Sequence, residues 1–335
     1  MLPRISPSWQ TSSWQKLLAQ AISDPLELLA MLDLAPDALS LGYAARRQFA
    51  LRVPRSYVAR MRKSDPNDPL LRQVFPLSDE EFLATGFNTD PVGDLAAMPA
   101  PGVLHKYEGR VLLVTTGACA IHCRYCFRRH FPYSDANPAA HGWDAALDYI
   151  AADTTVSEVL LSGGDPLTLT DQRLAPLAQR LSAIPHLKRL RIHTRLPIVL
   201  PERVDNALLA WLDTSRLKPV MVVHANHANE IDGSVRDALS RLAQAGVALF
   251  NQTVLLRGVN DSTTALADLS EALFEAGVTP YYLHLLDKVQ GAAHFETEEA
   301  RARELMKELR NHLPGYLVPR LVHEQAGAPS KLPLL

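Results

Sequence analysis

The sequence predicts an α/β protein built around a partial, open (β/α)6 barrel. From Arg110 onward, short β-rich apolar runs alternate with amphipathic helical stretches, a pattern typical of parallel strands joined by crossover helices. Six such units follow one another at a spacing of about 30 residues, fewer than the eight of a closed barrel of this kind. Chemistry in such folds gathers at the carboxyl ends of the strands, so we expect the functional residues on the loops that follow them.

The predicted elements follow in order along the chain. The strands are predicted at residues 110–116, 157–163, 188–194, 219–225, 247–256 and 279–286. The helices are predicted near residues 142–152, 171–183, 202–213, 234–245, 262–276 and 297–312, and a last extended segment at 315–325. These bounds divide the chain into a helical N-terminal extension (1–100), a core barrel (101–312) and a C-terminal segment (313–335).

The N-terminal extension is punctuated by prolines and helical in pattern. Ser78 and Glu81 have the spacing of a capping box, in which two side chains satisfy backbone amides at the start of a helix. Basic residues between Arg46 and Lys63 mix with aromatic and aliphatic ones, which fits either a contact surface or, more commonly, a solvated helix face. No function follows from this part of the chain alone.

The composition excludes several classes of protein. The 335 residues are 47% hydrophobic and 21% charged, and the formal net charge of -2 gives no reason to expect binding to nucleic acid or to a membrane surface. No apolar run reaches the roughly 20 residues of a membrane span and no signal-peptide pattern is present, so a cytoplasmic location is expected. The cysteines fall within one short segment, unlike a disulfide framework.

The cysteines form a CxxxCxxC motif directly after the first predicted strand. Cys119, Cys123 and Cys126 place three thiolates on one loop, which suits a [4Fe-4S] cluster whose fourth iron has no protein ligand. A structural zinc completed by His122 or His130 is the alternative. Zinc sites usually combine two short Cys/His spacings, and no second pair occurs in the sequence, so the cluster is favoured.

This motif, with the aromatic Tyr125 before its last cysteine, resembles the radical S-adenosyl-L-methionine (SAM) superfamily. There the open iron binds the amino and carboxylate groups of SAM, which an electron cleaves to a 5'-deoxyadenosyl radical. The second predicted strand ends in a turn made of Ser162, Gly163, Gly164 and Asp165. This turn is similar to the superfamily's GGE-like motif, in which glycines leave backbone groups free to contact SAM. The resemblance further implies that Gln252 holds the SAM carboxylate.

Residues 100–335 resemble the lysine 2,3-aminomutase family, which adds pyridoxal 5'-phosphate (PLP) to this machinery. The resemblance is carried by the segments HKYEGRVLLVTTGACAIHCRYCFRRHF, LLSGGDPL, RIHTRLPIVLP, NQTVLLRGVND and PYYLHLLDKVQGAAHF. It implies that Lys331 holds PLP as a Schiff base, which requires a chain end that folds inward. It also implies PLP contacts for Lys106, Tyr107 and Arg110. Arg110 is the stronger candidate for the phosphate, because a lysine lacks the bidentate contact of an arginine.

The same resemblance implies the substrate contacts. Arg128 matches an arginine that holds the substrate carboxylate, and Asp287 and Glu324 match two carboxylates that hold the distal ammonium of lysine. Glu324 replaces the aspartate that is usual in the family, which changes the pocket by about one methylene. The implied reaction moves the amino group of L-α-lysine from Cα to Cβ and gives β-lysine. An acidic pair would repel a substrate with an acidic far end, which disfavours a glutamate aminomutase.

Several features favour one branch of the family. No cysteine follows Cys126, so the structural zinc site of free-standing lysine 2,3-aminomutases is not expected. Two further features are Glu324 in place of aspartate and the PSK run shortly before Leu335. These features resemble the branch that makes (R)-β-lysine for elongation factor P. The expected partners are a ligase related to lysyl-tRNA synthetase and an electron donor such as flavodoxin or ferredoxin. The alternatives are a free-standing lysine or other amino-acid 2,3-aminomutase and, far less favoured, a non-enzymatic iron–sulfur or zinc module.

Overall fold

A computed structural model of the chain describes residues 13–134, 136, 143–213 and 215–334. In these residues nine strands form one sheet: β1 (Val103–Tyr107), β2 (Arg110–Thr116), β3 (Glu158–Gly163), β4 (Arg189–Thr194), β5 (Lys218–Val223), β6 (Ala248–Val254), β7 (Thr279–His284), β8 (Arg320–His323) and β9 (Leu332–Pro333). The described α-helices are α1 (Trp14–Ala19), α2 (Pro25–Met31), α3 (Tyr43–Gln48), α4 (Arg55–Val58), α5 (Pro69–Arg72), α6 (Asp144–Ala152), α7 (Asp171–Ser182), α8 (Leu196–Val199), α9 (Asn206–Asp213), α10 (Gly233–Gln244), α11 (Thr263–Glu275) and α12 (Glu299–His312). None of them has the length and apolarity needed to cross a bilayer.

The sheet is an open, mostly parallel barrel. Its spatial strand order is the same as the order along the chain, from β1 to β9. Each neighbouring pair from β2 to β8 is parallel, while β1 and β9 pair antiparallel at the two edges. Within the described ranges the two edge strands do not pair with each other, so the barrel stays open on one side. The prediction of a partial, open α/β barrel is confirmed.

The six predicted strands correspond to β2–β7, with bounds that agree to within two residues. The segment predicted as extended at 315–325 contains β8, which joins the sheet as a further parallel strand. The helix predicted to begin at residue 202 begins at Asn206 instead, because the Asp205 side chain accepts the backbone N–H of Leu208 at 2.9 Å and caps the helix there. The start predicted at residue 142 lies outside the described residues.

The N-terminal helices share one apolar core with the barrel. Buried residues of the extension and of the strands form a continuous cluster that includes Leu28, Tyr57, Leu70, Phe75, Val111, Leu161 and Ile192. Surface ion pairs such as Arg55–Glu27 and Lys63–Asp33 account for the exposed basic side chains of this region, as expected for a solvated face. The described residues 13–100 therefore form an N-terminal layer packed on the barrel.

The predicted capping box at Ser78 and Glu81 is wrong. Residues Ser78–Glu81 form a 3-10 turn, and the side chain that accepts the Leu77 N–H, at 3.1 Å, belongs to Glu80. Glu81 instead accepts the N–H of Ala44 at 2.8 Å, across to α3. The register is shifted by one residue because Glu80 is drawn into buried ion pairs beneath the cysteine loop.

Alternation along the strands separates a core face from a face that lines the barrel interior. In β4 every second residue is buried in the core, and Arg191 and His193 face a central cavity in between. In β6 the same alternation directs Gln252 and Val254 into that cavity. The cavity lies at the carboxyl ends of the parallel strands, where the fold predicts the chemistry.

Candidate active site

One cavity of about 310 Å³ brings together the residues that the sequence analysis assigned to the cluster, to SAM, to PLP and to the substrate. It is lined by Lys106, Tyr107, Arg110, Cys119, Cys123, Cys126, Arg128, Ser162, Gly163, Gly164, Asp165, Gln252, Asp287, Glu324 and Lys331. They come from the two edges of the sheet, from the cysteine loop and from the ends of β3, β6, β7 and β8. Their positions show that the predicted residues share one site, while their individual roles stay predictions.

The cysteine loop is anchored to the N-terminal layer by a buried ion-pair triad. Arg124 donates two hydrogen bonds to Glu80, at 2.7 and 2.6 Å, and the Arg129 guanidinium donates to the same carboxylate at 2.7 Å. All three side chains are at most 1% exposed. Backbone contacts add to this anchor, since the Arg124 N–H donates to the Gln73 carbonyl oxygen at 2.8 Å. Charge-assisted bonds of this geometry fix the loop in one conformation.

The three cysteines are free thiols in a poorly solvated setting. Burial raises the pKa of Cys126 to about 11 and raises the pKa of Cys119 well above its ordinary value. A metal must displace these protons to bind the thiolates, so metal binding at this loop would release protons and strengthen as the pH rises.

The contacts of the neighbouring histidines speak against the zinc alternative. His122 Nδ1 lies 2.7 Å from the Ala50 carbonyl oxygen, and His130 Nε2 lies 3.1 Å from the carbonyl oxygen of Gln290. Among the described residues, no three His, Cys, Asp or Glu side chains converge as they would on a single metal ion. In a cluster each iron takes its own thiolate, so the three sulfurs need not converge on one point.

The glycine turn packs against the cysteine loop. The Gly164 N–H donates to Thr116 O at 2.7 Å and the Asp165 N–H donates to Ala118 O at 2.8 Å. A Cβ at Gly164 would lie 2.4 Å from Ala118 O, and Gly163 adopts a φ of 110°. The amides of Gly164 and Asp165 are therefore occupied and not free to bind SAM, and the glycines allow the two loops to approach each other. The backbone contact of this turn with the amino group of SAM stays a prediction.

The side chain of Asp165 has a structural role as well. Its carboxylate accepts the Thr194 hydroxyl and the Arg195 N–H, each at 2.7 Å, and the N–H groups of Leu167 and Leu196. Burial raises its pKa although these four donors lower it. Asp165 thus joins the ends of β3 and β4 at the cavity wall.

The carboxylates at the opposite side of the cavity already hold ammonium groups of the protein. Lys331 Nζ lies 2.7 Å from Glu324 Oε2, and Lys106 Nζ lies 3.0 Å from Glu324 Oε1. Burial alone would raise the pKa of Glu324, but the two lysines lower it to about 2. Burial and the nearby Glu324 raise the pKa of Asp287 to about 7, against the opposing effect of the lysines. The pocket therefore has an unsatisfied affinity for a further cation.

Lys106 lies in this acidic pocket. Besides Glu324, its ammonium contacts Asp94 Oδ1 at 2.6 Å and donates to the Val92 carbonyl oxygen at 2.8 Å. Two hydrogen bonds and the ion pair with Asp94 hold Lys106 in this pocket, and its contact with PLP stays a prediction. Arg110 differs, because none of the ion pairs found in the described part of the chain includes it. Its guanidinium lies 4.5 Å from the ring centroid of Tyr107.

Sequence reasoning missed Asp94, which connects the two ends of the pocket. Asp94 Oδ2 accepts Arg128 Nε at 2.6 Å, while its other oxygen holds Lys106. Because Asp94 binds Nε, the terminal nitrogens of the Arg128 guanidinium can bind other partners. One of them, Nη1, donates to Ser162 Oγ at 3.3 Å. No sequence signal identified Asp94, because it lies in the extension whose pattern suggested only helices.

Three histidines that sequence reasoning also missed face the same cavity. His193 is the residue before the last one of β4, His224 follows β5 and His284 ends β7. Burial lowers the pKa of all three, that of His224 to about 4, so the rings are neutral. Their Nε2 atoms have no hydrogen-bond partner within the part of the chain that the structure describes. A ligand in the cavity would satisfy these atoms.

Several known proteins are similar in sequence to this chain over most of its length. An L-lysine 2,3-aminomutase of Escherichia coli is 52% identical over 96% of this chain and 94% of the relative, and one of Haemophilus influenzae is 49% identical over 99% and 98%. An L-lysine 2,3-aminomutase of Clostridium subterminale is 39% identical over 83% of this chain and 67% of the relative. No protein-family model matches the chain.

Solved structures resemble the chain only weakly. The SAM-bound SuiB of Streptococcus suis has a TM-score of 0.49 and is 14% identical over 69% of this chain and 53% of that chain. The open barrel with its three-cysteine loop defines an enzyme of the radical SAM class. From the identity to its curated relatives, the chain belongs to the L-lysine 2,3-aminomutase family, whose members are isomerases.

Family membership implies three cofactors: a [4Fe-4S] cluster, SAM and PLP. The residues present fit these groups. Three sulfur donors share one loop at the cavity wall, and the amine of Lys331 and the guanidinium of Arg110 line the same cavity. The unpartnered histidine Nε2 atoms in between leave polar groups for a bound ligand to satisfy.

Proposed function

We propose that this chain converts L-α-lysine to (R)-β-lysine by a 2,3-amino migration that depends on PLP. One observation carries the proposal: the ammonium of Lys331 lies 2.7 Å from Glu324, in the acidic pocket formed with Asp287. A lysine side chain of the protein thus stands where the distal ammonium of a lysine substrate would bind. The pocket suits an alkylammonium by charge and by reach.

The substrate is proposed to lie between the two ends of the cavity. Arg128 binds its carboxylate, and Asp94 fixes the orientation of that arginine through Nε. Asp287 and Glu324 bind its distal ammonium. An aminomutase for glutamate would need cationic groups in place of these carboxylates, because a second negative charge would be repelled here.

Release of Lys331 from Glu324 is the proposed first event. When bound, the cluster and SAM supply a carbon radical that abstracts hydrogen, and PLP supplies the conjugated system on which nitrogen migrates. Lys331 is the residue that would hold PLP, with Arg110 and Tyr107 at its phosphate or ring. Once Lys331 leaves the acidic pocket, Glu324 is free for the ammonium of the substrate. Gln252 and Ser162 remain the proposed side-chain contacts of SAM.

The product is proposed to serve elongation factor P. The relatives from E. coli and H. influenzae, which this chain covers to 94% and 98%, are more similar to it than the clostridial relative, of which it covers 67%. This pattern supports a separate branch within the family. The proposed partners are a ligase related to lysyl-tRNA synthetase and a flavodoxin or ferredoxin as electron donor. The cytoplasm is the proposed location, where reducing conditions keep the cysteines free.

An anaerobic assay tests the reaction. The reconstituted protein is incubated with L-lysine, SAM, PLP and dithionite, and the β-lysine formed is resolved by chirality. Formation of (R)-β-lysine supports the proposal, whereas no turnover of lysine with turnover of glutamate contradicts it. Protein that binds zinc, lacks iron and sulfide and does not cleave SAM would support the non-enzymatic module instead. In cells, mass spectrometry of elongation factor P after gene deletion tests the branch, since the β-lysyl mass should be lost.

Replacement of Lys331 tests its role separately. Lys331→Ala should abolish the visible absorbance of protein-bound PLP while the iron content stays unchanged, because the residue lies apart from the cysteine loop. Lys307→Ala, a lysine of α12, is the matched control and should keep the absorbance. An unchanged PLP spectrum in Lys331→Ala would refute the assignment.

A further inference from the structure

Arg195, at the end of β4, connects a cysteine of the loop to a buried polar network. Its Nη1 lies 2.7 Å from Cys123 Sγ. Its Nη2 donates to Gln73 Oε1 at 2.7 Å, to Glu230 Oε2 at 2.8 Å and to the Tyr57 hydroxyl at 3.1 Å. The arginine side chain is 5% exposed and that of its carboxylate partner 0%. One guanidinium edge therefore faces the sulfur while the other is held inside the protein.

The carboxylate that holds this arginine is itself fixed. Glu230 Oε1 accepts the N–H groups of Asn226 and His227, at 2.8 and 3.1 Å, and the amide of Gln73 at 3.2 Å. A buried carboxylate with this many donors stays ionised, and it leaves Arg195 little freedom to rotate away from the loop. The network therefore holds the guanidinium in place beside the Cys123 sulfur.

Cys123 is distinguished from the other two cysteines by this contact. Among the hydrogen bonds of the described residues, a side chain donates to Cys123 and to neither Cys119 nor Cys126. Cys123 faces a full positive charge on a side chain. A cationic N–H donor draws electron density from a thiolate more strongly than a neutral amide does.

We propose that Arg195 is a positioning residue that sets the reduction potential of the cluster by donating a hydrogen bond to the Cys123 sulfur. The donor stabilises the extra negative charge of the reduced cluster and so raises its potential. Gln73 and Tyr57 belong to the N-terminal layer, which gives that layer a part in tuning the cluster. The inference rests on the cofactors of the family and not on the identity of the substrate.

The test compares the variant Arg195→Gln with Arg203→Gln, which also removes a buried arginine. Arg203 has a side chain that is 0% exposed and binds Asp171 at 2.8 Å, but it does not line the cavity. Each variant is reconstituted anaerobically, its iron is counted, and its midpoint potential is measured by EPR-monitored titration without SAM. At a fixed potential, Arg195→Gln should show about tenfold less reduced cluster, a shift of about 59 mV to lower potential. Arg203→Gln should match the wild type.

Two further variants keep the test decisive. Arg195→Lys, which retains a cation, should recover part of the potential. If Arg195→Gln alone does not load iron, the double variant Arg195→Gln/Glu230→Gln removes both charges of the buried pair, so no lone carboxylate remains to destabilise the fold. A fully loaded single or double variant with an unshifted potential would overturn the proposal. So would a shift of the same size in Arg203→Gln.

Discussion

Glu324 holds two ammonium groups of the protein, and this arrangement has a direct consequence for substrate affinity. Glu324→Gln keeps an acceptor but removes the charge, so we expect the KM for L-lysine to rise by about 10- to 100-fold, from a loss of roughly 1.5–3 kcal/mol. Glu304→Gln, an exposed carboxylate of α12 paired with Arg301, is the control and should leave KM unchanged. Equal KM values for both variants would contradict the pocket.

Asp287 should make the ligand-free protein less stable at high pH. Its pKa rises from 3.8 to about 7 on folding, so between these values the folded state binds a proton that the unfolded state has lost. The free energy of unfolding therefore falls as the pH rises from about 4 to about 7, and the loss is complete above pH 7. Asp287→Asn removes this cost. We expect the variant to gain in Tm over the wild type at pH 8, with the difference vanishing toward pH 4. A larger gain at pH 5 than at pH 8 would contradict this sign.

The sequence predicted the functional residues that lie in short motifs, but it did not predict residues that act through contacts between distant segments. The cysteines and Lys331 lie in motifs, and the structure places them in one cavity. Asp94 and Arg195 work through partners up to 138 positions away in the chain, such as Tyr57, and no local pattern marks them. The assignment of free amides to the glycine turn failed for the same reason, since their acceptors belong to another loop.

At the scale of elements, the contact between the glycine turn and the cysteine loop predicts a steric effect on cluster binding. Gly164→Ala would bring a Cβ to 2.4 Å from Ala118 O and force the two loops apart, so we expect a clear loss of reconstituted iron. Gly233→Ala, at the first turn of α10 with nothing within 4 Å, is the control and should keep its iron and its Tm. Full iron loading of Gly164→Ala would show that the loops tolerate separation.

The strands were predictable because their apolar runs are long, whereas the edge strands were not. β2–β7 match the predicted bounds closely, because their apolar residues either follow one another, as in β3, or alternate with residues that face the cavity, as in β4. β1 and β9 are short and paired on one side, and β9 is only Leu332–Pro333. Its pairing with β8 and the buried Leu334 nevertheless hold Lys331 inward, as the resemblance requires.

At the scale of the whole molecule, the N-terminal layer supports the cluster loop through Glu80. Glu80→Gln would leave Arg124 and Arg129 buried beside a neutral amide, which should cost about 3 kcal/mol or more and lower both the Tm and the iron content. Asp79→Asn, an exposed neighbour, should change neither. If Glu80→Gln matches the wild type in Tm, the triad does not support the loop.

The sequence divided the molecule at residues 100 and 312, and that division stays a prediction. A helical pattern identifies elements but not the surface on which they pack, because packing depends on residues far away in the chain. In the structure, Gln73 and Tyr57 reach the ion-pair network of Arg195, so the extension and the barrel meet directly beneath the cysteine loop. The contacts of Arg195 with Tyr57 and Gln73 join residues 138 and 122 positions apart in the chain, so no local composition change indicates them.

The strand order also has a temporal consequence. Since spatial neighbours in the sheet are sequence neighbours, each strand can dock as it is synthesised, without waiting for a later one to fill a gap. Several residues that fix the cysteine loop, among them Arg52, Glu80 and Glu230, precede α10, and Gln290 and Gly291 add later contacts to His130 and Arg129. Glu324 and Lys331 arrive with the last two strands. The half of the cavity that holds the cluster can therefore form on the ribosome before the half that holds the lysine exists.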